Sequence, residues 1–320
     1  MGLLVIVGVH LLASGVGPGA VIGVVDGVPE TLDERILWEL GLPRLLTALL
    51  AGAGLGVAGL VLQAALRNPL AAPEFTGVNP GAVLGILGGM TLGVVPADSV
   101  TGALAAAVAG GTAGGGLSWM LAARRDPGQV IVAGLLGSAA LAGLTTLLLA
   151  YQPSRFGNAL RWLVGSVEGR VWDHLATTSG WILGWIALVW LGSAALAVLA
   201  GGDEHAAALG LPPRPARVAA LAAAVALAAG AAGLAGALAF VGLMTPHVAR
   251  WAARHRPRAV VPVAALAGAA ALAGADAVAQ TLTRLLPGDL THRLGLPTGV
   301  VTALAGAAVL IAVARKERES

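Results

Sequence analysis

A chain of 320 residues with 57% hydrophobic and 11% charged side chains and a mean hydropathy of +0.86 has too little polar surface for a soluble globule and reads as a protein of the lipid bilayer. Its net charge of +3 rests on arginines scattered through short loops, Lys316 being the sole lysine, which excludes a continuous basic face for nucleic acid. It has no cysteine, so disulfides and thiolate metal sites are excluded as well.

Crossing roughly 30 Å of hydrocarbon takes about 20 apolar residues in a helix, or about 10 alternating residues per strand of a closed barrel. Val218 to Leu238 is apolar almost throughout, so helices are expected and a barrel is excluded. In chain order the apolar segments are 2–25, 45–66, 76–95, 100–123, 128–150, 172–200, 218–237, 238–252, 259–281 and 297–314, which predicts an all-α protein of about ten transmembrane helices. Leu3 to Leu12 lacks the basic leading region of a signal peptide and runs on into Gly15 to Val25, so it is read as the first span. Between 218 and 252 there is no strong polar break before Thr245. One long tilted helix and two helices parted near Gly230, Gly233, Gly236 and Gly242 are both open readings there. With a cytoplasmic N-terminus, Arg67, Arg124, Arg125, Arg214, Arg217, Arg250, Arg254, Arg256, Arg258, Arg315, Lys316 and Arg318 fall inside. They outnumber Arg35, Arg44, Arg155, Arg161, Arg170, Arg284 and Arg293 outside, as the positive-inside rule asks. A nine-span chain with its N-terminus outside satisfies that rule equally.

Three stretches have a distinctive wording. The first is Leu42-Pro43-Arg44 through Gln63, then Arg67-Asn68-Pro69-Leu70-Ala71 and Gly77-Val78-Asn79-Pro80-Gly81-Ala82. In it Pro69 cannot continue a helix, and Asn68 can satisfy backbone groups at the turn. The second is Phe240 through Arg250, where Thr245-Pro246-His247 is expected to kink or end a helix. The third is Leu296-Pro297-Thr298-Gly299-Val300-Val301-Thr302.

In this order the three stretches resemble the signatures of the membrane permease subunits of bacterial ABC importers for iron-siderophores, haem and cobalamin, and the similarity runs from about Leu42 to about Val313. The resemblance implies ten spans with both termini cytoplasmic, which breaks the tie with nine. It further implies one transmembrane permease domain over residues 1–320, multi-pass in the bacterial cytoplasmic (inner) membrane. The implied partners are a second permease subunit, identical or paralogous, two ABC ATPase subunits and an extracytoplasmic substrate-binding protein.

The same resemblance assigns residues. The loop 201–217, with Glu204, Ala208, Leu209, Gly210 and Arg217, takes the place of the coupling helices that sit on the ATPase. Arg161, Trp162, Gly165, Ser166 and Arg170, with Trp172, resemble the wording after the fifth span, whose short following helix lines the transport passage and its outer gate. Arg44 matches an arginine that docks the acidic binding protein; the family's other arginines here are replaced by Gly41 and Gln280, with Arg284 one turn further on. Large chelates are the implied cargo, a ferric siderophore first, then haem or cobalamin.

The residues themselves narrow the mechanism. A P-loop needs a glycine-rich turn followed by Lys, and Lys316 lies in the charged tail, so ATP and magnesium would be held by a partner and no cofactor is expected in this chain. An ion-coupled secondary transporter is the rival, but it usually carries titratable groups at mid-membrane, and the spans offer only His10 and Asp276 as deep candidates. Asp276 is expected in structural hydrogen bonding and His10 in packing. Ser14 lacks triad partners, and His247 with His255 lacks the spacing and third ligand of a metal site, so no catalytic role is expected.

Overall fold

Alanine, leucine and glycine dominate segments too apolar to expose backbone to lipid, and the chain satisfies that backbone internally by folding as helix. The computed structural model describes residues 2–13, 31–122, 127–151, 159–254, 256–285 and 295–319. Ser14, Arg124, Arg125, Arg155, His255, Arg293 and the second half of the first apolar segment lie outside them.

Helix α1 is Gly2–Ala13. The short α2, Leu32–Ile36, starts at a capping box in which the Glu34 N–H donates to Thr31 Oγ1 (3.3 Å) and the Thr31 N–H donates to Glu34 Oε2 (3.1 Å). A π-helical turn, Leu37–Gly41, carries it without a break into α3, Leu42–Leu66; Pro43 has no N–H to continue the pairing, and the Trp38 carbonyl five residues before it accepts from Trp172 Nε1 instead. Helix α3 stops at Arg67, which adopts a left-handed conformation (φ 50°) two residues before Pro69. There follow α4 (Val78–Thr91), α5 (Val100–Ala122), α6 (Pro127–Tyr151) and α7 (Ala159–Val164). Next are α8 (Trp172–Leu191), α9 (Ser193–Ala200), α10 (Asp203–Ala208) and α11 (Pro213–Ala235). The last three are α12 (Val241–Ala252), α13 (Pro257–Leu285) and α14 (Thr298–Glu319).

Among the described residues, six stretches are long and apolar enough to cross a membrane: Leu32–Leu66, Val100–Met120, Val132–Tyr151, Trp172–Leu191, Pro213–Ala235 and Pro257–Leu285. Val78–Thr91 is a shorter apolar helix. The segment expected over 172–200 is two helices with a joint at Gly192, and the ambiguous segment over 218–252 is two helices parted at Gly236–Phe240.

Helix α3 is the hub. It is buried on nearly every side, against α8, α11, α12 and α13, as a helix apolar all round must be. Close approach comes from glycine. A methyl group added at Gly59 would lie 1.8 Å from the Gly242 carbonyl of α12, and one at Gly52 would lie 2.3 Å from the Gly268 carbonyl of α13. The same device joins α4 to α5, where Gly81 abuts the Gly110 carbonyl and Gly85 the Ala106 carbonyl. The interior forms two apolar cores. The larger takes in α3, α8, α11 and α13; the smaller holds Val83, Ile86 and Leu87 of α4 with Ala107 of α5 and Leu149 of α6, and reaches α11 at Ala229 and Ala232.

Candidate functional site: a broken helix and the two ends of the bundle

The break between α11 and α12 brings together residues of the first two distinctive stretches, and the third reaches the neighbouring Gly165. Gly236 has φ 73° and presses on the Arg161 and Trp162 carbonyls, while Phe240, a non-glycine residue, also takes a positive φ of 68°. Non-helical backbone inside a bundle needs partners for its polar groups, and distant residues supply several. Asn79 Nδ2 donates to the Leu238 carbonyl (2.9 Å), the Ala237 N–H to the Trp162 carbonyl (3.2 Å), and the Phe240 N–H to Glu74 Oε1 (2.7 Å). Farther along α12, Gln63 Nε2 donates to the Leu243 carbonyl (3.3 Å) and Arg250 Nη2 to Gln63 Oε1 (2.8 Å). Glu74 Oε2 has no partner among the described residues and no exposed surface, though the residue as a whole keeps some solvent contact. Burial therefore pushes the Glu74 carboxyl up to about 7 against the lowering pull of its backbone hydrogen bonds. The Asn-Pro and Thr-Pro wordings thus serve a shared joint, a role that neither shows alone.

The five residues expected at the passage mouth lie in one wedge, α7 and the loop after it. The Ser166 N–H donates to the Ala235 carbonyl (2.8 Å), and the Gly299 N–H, from the third stretch, donates to the Gly165 carbonyl (3.0 Å). Gly165 has φ 84° and lies against Leu238, so a side chain would fit there neither sterically nor conformationally. Arg161 Nη1 donates to the Glu168 carbonyl (3.1 Å). Arg170, 8% exposed, stacks over Trp162 with its guanidinium carbon 5.5 Å from the ring centroid. Burial, with Arg161 alongside, pushes the Arg170 guanidinium down to about 10. Trp172 donates from Nε1 to the Trp38 carbonyl (2.9 Å) and packs ring to ring with Trp38 at 5.1 Å.

At the opposite end, α10 stands beside the start of α11 with Ala206 as its buried anchor. Arg217 donates from Nε to the Ala65 carbonyl at the end of α3 (3.0 Å) and from Nη2 to Asp203, with Arg67 3.8 Å from the same carboxylate. The Arg217 hydrogen bond holds the Asp203 carboxyl below the usual carboxylate range. Glu204, Ala208, Leu209 and Gly210 are exposed, Leu209 at 61%, and Gly210 turns the chain at φ 78°. A rigidly held helix thus presents a protruding apolar residue at the bundle's end.

Asp276 and His10, separate candidates in the sequence, belong to one buried cluster. Asp276 is fully buried; its Oδ2 accepts from Arg44 Nε (2.8 Å) and Gln280 Nε2 (2.9 Å) and lies 2.8 Å from His10 Nε2, while Oδ1 accepts from Arg44 Nη2 (2.9 Å) and Thr298 Oγ1 (2.7 Å). Arg44 is one-fifth exposed and turned inward, joining α3 to α13; Arg284, at the end of α13, is exposed. The cluster also captures the first residue of α14. Among the described residues, no group of three His, Cys, Asp or Glu side chains could hold a metal ion.

Long apolar helices around a non-helical joint, with a presented helix at one end and an arginine-bearing wedge at the other, define a polytopic membrane protein of the permease class. The chain belongs to the FecCD transport family, which matches residues 1–316. It is 38% identical over 272 residues to the Fe(3+) dicitrate transport system permease protein FecD of Escherichia coli strain K12, covering 85% of this chain and 82% of that one. It is 30% identical over 314 residues to the Fe(3+)-citrate import system permease protein YfmE of Bacillus subtilis strain 168, covering 95% and 89%. A solved metal-chelate type ABC transporter in an inward-facing conformation superposes with a TM-score of 0.79 at 25% identity, covering 98% of each chain.

Proposed function

We propose that the chain is the single-domain transmembrane permease subunit of an ATP-driven importer that carries a ferric chelate across the bacterial cytoplasmic membrane by alternating access. The cargo class rests on relatives named for ferric citrate, with ferric siderophores at large next and haem or cobalamin after them. The observation that carries the coupling role is α10: Arg217 ties it to both α3 and α11, so a push on Leu209 and Gly210 reaches the hub helix without slack. In this reading two ATPase subunits, with ATP and magnesium, press on that helix from the cytoplasm and switch the passage between its two accesses.

Ten crossings with both termini cytoplasmic fit the arrangement, with α12 and the non-helical 236–240 segment together making one pass. The apolar, outward-facing Leu136 and Leu147 of α6, 65% and 66% exposed, are the face offered to a second permease copy. Arg161, Trp162, Gly165, Ser166 and Arg170 form the passage mouth. Exposed Arg284, with the one-fifth of Arg44 left open by its pairing to Asp276, receives the acidic binding protein, a charge pairing that gives orientation and on-rate.

Deletion of Ala206 to Gly210 tests the reading. In proteoliposomes with the ATPase and binding protein, the deletion is expected to abolish chelate uptake and detach or uncouple the ATPase while the permease still assembles. Normal uptake by the deletion variant would refute the coupling assignment.

A further inference from the structure

A cavity of about 660 Å³ lies between α3, α4, α5, α8 and α11, at the end of the bundle that bears Arg67. Its size falls within the roughly 300–1,000 Å³ of small-molecule sites. Its walls are apolar, with Val78, Val108, Trp181, Trp185, Leu221 and Val225 among them. Its rim is polar and basic. Arg67, half exposed, and Arg217 stand there with Asp203 as their one nearby acid, which leaves the mouth net positive among the described residues.

The rim is level with the ends of the helices, since Arg67 caps α3 and Arg217 lies in the opening turns of α11. Trp119, 46% exposed, flanks it near the end of α5, at the depth where amphipathic rings sit against headgroups. On the wall the Ser118 hydroxyl, in a residue only 6% exposed, has no partner among the described residues. That hydroxyl is packed against Gly77 and Gly137 with no surface open to the cavity, so the polar groups an occupant meets are those of the rim.

An occupant of this site must therefore be apolar over most of its length and anionic at one end. We propose that the cavity binds one anionic phospholipid, with an acyl chain along Trp181, Trp185 and Val225 and its phosphate on Arg67. A polar metal chelate does not fit, because the walls are mostly apolar, the Thr76 and Thr112 hydroxyls already donate to backbone carbonyls, and charge stands only at the rim. Free phosphate does not fit either, because it would leave the apolar volume empty. The net positive rim selects an anionic over a zwitterionic headgroup. The lipid site itself is independent of the transport reading; its assignment to the cytoplasmic leaflet, where its headgroup would touch the Arg217–Asp203 pair that holds α10, rests on that reading.

Native mass spectrometry of the full chain, released from nanodiscs of phosphatidylcholine doped with phosphatidylglycerol, tests the site without any transport assay. Wild type is expected to retain one phosphatidylglycerol in preference to phosphatidylcholine. Arg67→Gln, at an exposed position, is expected to weaken that retention about fivefold, the scale of one lost arginine near a lipid phosphate. Ala222→Trp, on the cavity wall, is expected to abolish it. Equal retention of the two lipids with no response to Arg67→Gln would overturn the proposal, as would undiminished retention in Ala222→Trp. A melting shift reproduced by sodium phosphate alone would overturn it too, by showing a headgroup site without a chain. If Ala222→Trp does not accumulate, Arg67→Gln decides.

Discussion

Asp276→Asn keeps the size and shape of the side chain and removes its charge. The amide oxygen in the place of Oδ2 would keep that side of the cluster, with its donors from Arg44 Nε and Gln280. The amide nitrogen would then stand where Oδ1 accepts from Thr298 and Arg44 Nη2. Thr298 can rotate and accept, but Arg44 meets it donor to donor. The least loss is one charge-assisted hydrogen bond, about 1.5–3 kcal/mol. Removing one partner of a fully buried ion pair costs about 3–5 kcal/mol, and Arg44, one-fifth exposed, recovers part of that from water, so about 2–3 kcal/mol is expected. Thermal unfolding of the chain in mild detergent should show a midpoint lower by about 5 °C on that basis. A cycle with Arg44→Gln should be non-additive, because the second change removes a group already unpaired. A midpoint within about 1 °C of wild type, or strict additivity, would show that the cluster does not hold α3, α13 and α14 together.

Gly59→Ala places a methyl group 1.8 Å from the Gly242 carbonyl and should sharply reduce folded protein on size-exclusion chromatography; Gly88→Ala, with nothing within 4 Å, should elute as wild type. For Glu74 the folded-state carboxyl holds its proton up to about pH 7, against 4.5 for the free group. The folded state then binds the extra proton between those values, and the joint loses stability as pH rises from about 4.5 to about 7. Hydrogen exchange at Val241 to Met244 should therefore accelerate over that window beyond its intrinsic pH dependence, and Glu74→Gln should abolish the excess; an identical profile in the variant would remove Glu74 from the joint. Asp203→Asn removes the charge that holds Arg217 Nη2 while the bond from Arg217 to the Ala65 carbonyl stays, so with Asp203 43% exposed melting should change little while chelate-stimulated ATP hydrolysis falls; full stimulation would mean that α10 does not need this anchor.

The apolar segments are legible in the sequence because lipid imposes a length and composition that a single window can detect. The bounds of α3 are legible too, since Pro43 and the Arg67-Asn68-Pro69 turn are local signals. The joint at 236–240 is not, because Gly236, Ala237, Leu238, Ala239 and Phe240 are as apolar as any span. What breaks the helix there is Glu74, Asn79 and the Trp162 carbonyl, all more than 70 residues away. The Asp276 cluster escapes for the same reason: its members run from His10 to Thr298, and nothing local in the sequence pairs them. The cavity has no sequence signal at all, being bordered in part by small residues such as Gly116, where a methyl group would meet nothing within 4 Å.

The two apolar cores share one wall, α11, and share it unequally. Toward α3 that helix contributes Leu227 and Leu234 among its alanines, whereas toward α4, α5 and α6 its buried contribution is Ala229 and Ala232. A buried methyl group contributes about 0.8 kcal/mol and a leucine side chain about 1.5–3 kcal/mol, so the fully buried side chains of α11 fasten it less firmly to the α4–α6 leaf than to the α3 hub. Under load or denaturant the molecule should come apart along this seam first, losing α4, α5 and α6 as one cooperative unit while the α3 hub stays intact.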